Sequence, residues 1–146
     1  MTLNGDALWY CTPKVGQNRA GAEGFLKTSD GVWLMGVGRQ NGLFSCLETE
    51  NGNERWSYSL DATCADVVSA DAEGDGEPEF LVATSHGTLV AIGDNKTSPR
   101  ILWKTEVSVS LGTPFPVDLD ADGTIEIVCV SSDGYINVFD ASSHPK

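Results

Sequence analysis

Three tryptophans recur at a fixed interval. Trp9, Trp56 and Trp103 stand 47 residues apart, twice over. A second marker keeps the same period: Asp71, Glu73, Asp75, Gly76 and Glu79 return 47 residues later as Asp118, Asp120, Asp122, Gly123 and Glu126. The glycines Gly42, Gly87 and Gly134, each opening a strand, are separated by 45 and 47 residues. One length difference explains that mismatch: Cys46 to Trp56 takes ten steps, Ala91 to Trp103 takes twelve. Three markers in phase define a true internal repeat, which sets the fold before any single element does.

Short runs rich in Val, Ile, Leu and aromatics alternate with Gly, Asp, Asn and Ser turns, and no long 3.6-residue period appears. That pattern predicts an all-β chain. The clearest strands are VWLMGVG, LFSCLE, EFLVATS, TLVAIGD, EIVCVSS and YINVFDA. In the middle repeat an inner strand runs through ADVVSAD to the acidic turn, EFLVATS and TLVAIGD follow, and RILWKTEVS carries the tryptophan. Four short strands in about 40–50 residues are the signature of a β-propeller blade. The 146 residues are therefore read as one unit of three four-stranded blades, with repeats near 10–56, 57–103 and 104–146.

CLETENGNERW, ending at Trp56, resembles the docking motif of PQQ-like (quinoprotein-type) propeller repeats, with Gly52 and Trp56 matching and Cys46, Glu48 and Asn51 departing. DLDADGTIEIV resembles the calcium loop of FG-GAP/VCBS repeats, the integrin-α type of blade. The resemblance implies that Trp9, Trp56 and Trp103 dock between neighbouring blades, stacking on a glycine-bearing turn. A carbohydrate-stacking surface is the alternative for these indoles. Trp33 has no aromatic counterpart at Pro78 or Ile125 and is read as a local contact.

Carboxylates crowd the loop from Asp118 to Glu126. Two of them 4 Å apart repel by roughly 4 kcal/mol at an effective dielectric of about 20, unless water or a cation intervenes. Calcium takes six to eight oxygens. Asp118, Asp120 and Asp122 occupy positions 1, 3 and 5; Thr124 offers a carbonyl at 7, and Glu126 an acid at 9. Ca2+ is the expected ion there. Asp71, Glu73, Asp75 and Glu79 form a second-choice site, because Glu73 adds a methylene to a tight loop. The competing explanation is a metal-free turn whose acids cap their own backbone. In the first repeat Asp30-Gly31 stands alone, and Leu34 replaces the closing glutamate, so a turn is expected.

A formal charge of -12 disfavours nucleic acid and anionic membrane as partners. No apolar run approaches the roughly 20 residues of a membrane span. MTLNGDALWY has neither a basic nor an apolar signal region; a chain trimmed of its signal would look the same, so location stays open. Cys11, Cys46, Cys64 and Cys129 contain no C-x-x-C pair, and His86 and His144 lie apart from them, so they are read as free thiols, with disulfide pairing left open. His86 reads as a turn residue, and the sequon at Asn95 has no secretory signal to support it.

No catalytic motif is present. The expected function is a non-catalytic, calcium-stabilised module for binding a protein or glycan. The alternative is a subunit of a propeller enzyme, such as a polysaccharide lyase, with its site formed in the assembled ring. NGDALWY matches the strand that carries Trp56, whereas VFDASSHPK stops before such a strand. A homodimer is therefore expected, in which residues 4–12 of each chain complete the last blade of the other in a six-bladed ring.

Overall fold

A computed structural model describes Trp9 and residues 20–141 of the chain. Among these residues there is no helix, and eleven strands form three antiparallel sheets. The first contains β1 (Ala20–Lys27), β2 (Trp33–Arg39), β3 (Leu43–Glu48) and β4 (Glu54–Ser59). The second contains β5 (Cys64–Ala70), β6 (Glu79–Thr84), β7 (Thr88–Asp94) and β8 (Pro99–Glu106). The third has β9 (Phe115–Val117), β10 (Glu126–Val130) and β11 (Ile136–Asp140). Each sheet is a meander, neighbouring strands in sequence being neighbours in space.

The repeat is visible in the register. Cys46 pairs with Trp56 and Ala91 with Trp103, and in both cases the register shifts immediately afterwards. The two extra residues of the second repeat lengthen its hairpin, which extends to the pair Asp94–Pro99.

Alternation places one apolar set on each face of the second sheet, which is why Phe80–Ala83 of β6 and Leu89–Ile92 of β7 are unbroken apolar runs rather than alternating ones. Phe80, Val82, Val90 and Ile92 pack with Leu34, Phe44, Cys46 and Trp56 of the first sheet. Leu81, Ala83, Leu89 and Ala91 pack with Ile127, Cys129 and Ala141 of the third. The first core has an aromatic centre, with Phe80 edge-on to Phe44 at 5.4 Å and to Trp56 at 6.4 Å. Such pairs contribute about 0.5–1.5 kcal/mol beyond area burial. Cys46, Cys64 and Cys129 are buried free thiols, and burial pushes the Cys46 thiol up to about 12. Cys11 lies outside the described residues. No helix among the described residues is long and apolar enough to cross a membrane.

Candidate functional site

The acidic loops join equivalent strands, β5 to β6 and β9 to β10, and their backbones fold the same way. Gly76 N–H donates to Asp71 at 2.8 Å, and Gly123 N–H to Asp118 at 3.0 Å. Ala72 and Leu119 donate to Glu79 and Glu126, each at 2.8 Å. Glu77 and Thr124 donate to Asp75 and Asp122 at 2.9 and 2.8 Å. Asp residues therefore organise both loops by bonding backbone N–H groups, as short acidic side chains do in tight turns.

The left-handed positions also correspond. Gly76 and Gly123 have φ of 88 and 91°, while Gly74 at 71° is matched by Ala121 at 62°. A side chain in that region costs roughly 1–2 kcal/mol, and glycine's larger loss of chain freedom cancels part of this. Ala121→Gly is accordingly expected to raise stability by about 0.5–1 kcal/mol in denaturant unfolding. No change, or a loss, would show that Ala121 is held there without strain.

The loops differ in what faces their oxygens. In the second sheet a cation from β8 enters the loop: Arg100 donates to Glu73 at 2.8 Å and to Glu79 at 3.3 Å. Asp71 spends its other oxygen on Asp75 N–H at 3.0 Å. Asp71, Glu73, Asp75 and Glu79 are thus served by protein groups. Glu79 is fully buried, and burial pushes its carboxyl up to about 7 against the pull of Ala72 N–H and Arg100.

In the third sheet, ligand oxygens of Asp118, Asp120 and Glu126 lie within 4.8 Å of one another. Oδ1 of Asp118 is buried without a hydrogen-bond partner among the described residues. Asp122 is turned to Thr124, whose hydroxyl donates to it at 2.6 Å and holds its carboxyl below the usual range. Of the five residues expected to ligate, three converge, and Asp122 and Thr124 bond each other. Asp30 accepts from the Thr28 hydroxyl, in a turn without a second acid. Ser29 of that turn donates its N–H, at 3.1 Å, and its hydroxyl to the Glu77 carboxylate of the next loop.

The three tryptophans share one hydrogen-bonding geometry. Trp9 Nε1–H donates to the Thr49 carbonyl at 2.8 Å, Trp56 to the Asp94 carboxylate at 2.7 Å, and Trp103 to the Ala141 carbonyl at 2.9 Å. These acceptors stand seven residues beyond Gly42, Gly87 and Gly134, so the offset within the repeat is constant. Trp9 lies on Gly52, where a Cβ would come within 2.5 Å of the ring. Trp56 and Trp103 are only 5% and 6% exposed, although both belong to the outermost strand of a sheet. Asp94 also pairs with Arg55, which reaches Glu48 at 3.3 Å. Trp33 is half exposed, with the Lys27 ammonium 5.9 Å from its ring centre.

No protein-family model matches the sequence, and no curated protein matches it. Solved structures do. BamB from Moraxella catarrhalis is 20% identical, with a TM-score of 0.59 over 86% of this chain and 34% of that one. Saccharomyces cerevisiae Sqt1 is 12% identical, with a TM-score of 0.67 over 93% of this chain and 35% of that one. BBS1N, solved in complex with ARL6DN, is 10% identical, with a TM-score of 0.63 over 84% of this chain and 37% of that one. The chain thus spans about a third of the length of the structures it matches. Those structures have β-propeller folds, and this all-β chain of repeated antiparallel meanders has the β-propeller fold.

Proposed function

We propose that the chain is a non-catalytic propeller module for binding or scaffolding, stabilised by one calcium ion in the Asp118 loop. The observation that carries the metal is the buried, unpartnered Oδ1 of Asp118 beside two more carboxylates. Three acids so close repel, and an orphaned buried acceptor adds its own penalty. A divalent cation offsets both, and all-oxygen donors suit calcium. Asp118, Asp120 and Glu126 would hold the ion, with Asp122 and the Thr124 carbonyl as the expected additions. Its part is to tie the β9–β10 connection, not to polarise a substrate. The Asp71 loop already contains Arg100 as its cation, which argues for a single ion.

Binding and scaffolding are supported by the fold and by BBS1N having been solved with a protein partner. A protein is therefore the favoured ligand class over a glycan, and a second copy of the chain is one such partner.

Saturating calcium should stabilise the fold by about 2.7 kcal/mol when free ion is 100-fold above Kd. Thermal melts with chelator and with calcium check this. Asp120→Ala should remove most of the response, and Asp30→Ala should leave it intact. A wild-type melt indifferent to calcium would favour a solvated, metal-free turn.

A further inference from the structure

A cavity of about 430 Å³ opens between the first and second sheets, beside the Asp71 loop. That volume is in the range of small-ligand sites. Its walls come from the β1–β2 turn, β4, the end of the β5–β6 loop and the β7–β8 hairpin. The chain has 9 basic residues against 21 acidic ones, yet Arg55, Lys96 and Arg100 all line this cavity.

Hydrogen bonding leaves these cations with unused donors. Arg55 gives Nε–H to Glu48 and Nη1–H to Asp94, and Arg100 gives Nη1–H to Glu73 and Nη2–H to Glu79. A guanidinium carries five N–H donors, so among the described residues each keeps more than it uses. Its charge is already compensated, because two carboxylates hold each guanidinium. A bare anion would find donors there but no net positive field. Lys96 adds a cation at a backbone φ of 62°, a region that glycine enters freely and a side chain resists. Backbone strain of this kind gathers at ligand sites. Facing these donors, the β1–β2 turn and the β5–β6 loop bring the carboxylates of Asp30 and Glu77 to the lining. The Asp30 carboxyl is held below its usual range chiefly by the Thr28 hydroxyl, and further by the Lys96 ammonium.

A ligand of one charge suits half of this lining. Asp30 and Glu77 repel an anion, whereas Lys96 and the guanidinium groups repel a cation. A molecule carrying both charges is matched by both sets. Being neutral overall, it also escapes the long-range repulsion that a chain of formal charge -12 exerts on an anion. We propose that this cavity binds a small zwitterion of the free α-amino-acid class. Lys96 and the unused N–H groups of Arg55 and Arg100 receive the carboxylate, and Asp30 and Glu77 receive the ammonium. The site goes beyond the scaffolding role above and shares no residue with the Asp118 loop.

Glycine, leucine, glutamate and lysine, each titrated into the 146-residue chain and followed by heteronuclear NMR, test this, with acetate and methylammonium as probes of a single charge. At least one amino acid should bind saturably and about tenfold or more tighter than either single-charge probe. Lys96→Gly should weaken that binding by about tenfold or more. Its stability in denaturant should equal or exceed that of wild type, because glycine suits the φ of 62°. Asp30→Asn should weaken binding as well, with an unchanged β-type circular dichroism spectrum. Three results would each overturn the proposal: no saturable binding of any of the four amino acids, acetate binding as tightly as the best of them, or unchanged affinity in Lys96→Gly.

Discussion

Trp103→Ala is expected to cost the fold about 3–5 kcal/mol in denaturant unfolding, and Trp56→Ala as much, the range for deleting a buried indole. Two effects combine. Each ring is nearly fully buried between two sheets, so truncation leaves a cavity that sheets fixed by backbone ladders cannot readily collapse. Each indole also satisfies an acceptor on the next sheet, at 2.9 Å for Ala141 and 2.7 Å for Asp94. Leaving a buried acceptor without its donor costs about 1–3 kcal/mol. Asp94 keeps Arg55 when Trp56 is lost, whereas the Ala141 carbonyl loses the indole N–H of Trp103. Trp103→Ala should therefore be the worse of the pair. Trp33→Ala, at a half-exposed ring, should stay within about 0.5 kcal/mol of wild type, as surface substitutions do. Equal, small losses at all three positions would show that the repeat tryptophans do not hold the sheets together.

The second large effect is one of pH. Glu79 has no exposure and a carboxyl pushed up to about 7 from an ordinary 4.5, chiefly by burial. Below about 4.5 it is protonated in both folded and unfolded chains. Between 4.5 and 7 the unfolded chain releases the proton and the folded one keeps it, so stability falls as pH rises through this window. At about 1.4 kcal/mol per unit the loss is on the order of 3 kcal/mol, complete above neutrality. The lowered carboxyls of Asp30, Glu48 and Asp122 act in the opposite sense, but their contribution is lost only in acid below that window. Glu79→Gln keeps an acceptor for Ala72 N–H and should abolish the slope, making the variant more stable than wild type at pH 8. A wild-type stability flat from pH 5 to 7.5 would mean that Arg100 keeps Glu79 ionised throughout.

The repeat made most of the fold legible in advance. Phase between Trp, acidic loop and turn glycine placed β2, β3, β6, β7, β10 and β11, because a meander keeps sequence neighbours adjacent. The outer strands were legible through Trp56 and Trp103. What escaped was chemistry carried by long side chains across the sheet. Arg100 serves Glu73 and Glu79 from 27 and 21 residues away, and its counterpart before Trp56 is Asn53, so the repeat gave no hint of it. The Asp94 carboxylate as acceptor for Trp56 was equally hidden, since its equivalents Thr49 and Ala141 use backbone carbonyls. In the Asp118 loop, spacing identified the acids but not which of them would turn away. Asp122 does so because the Thr124 hydroxyl lies within 2.6 Å, where the second repeat has Glu77.

Calcium titration by calorimetry tests the central claim most directly. One ion per chain is expected, with binding abolished by Asp120→Asn and retained in Asp75→Asn, since Arg100 already supplies the cation of that loop. Two ions per chain, or no binding heat at any temperature tried together with an unchanged melt, would contradict it.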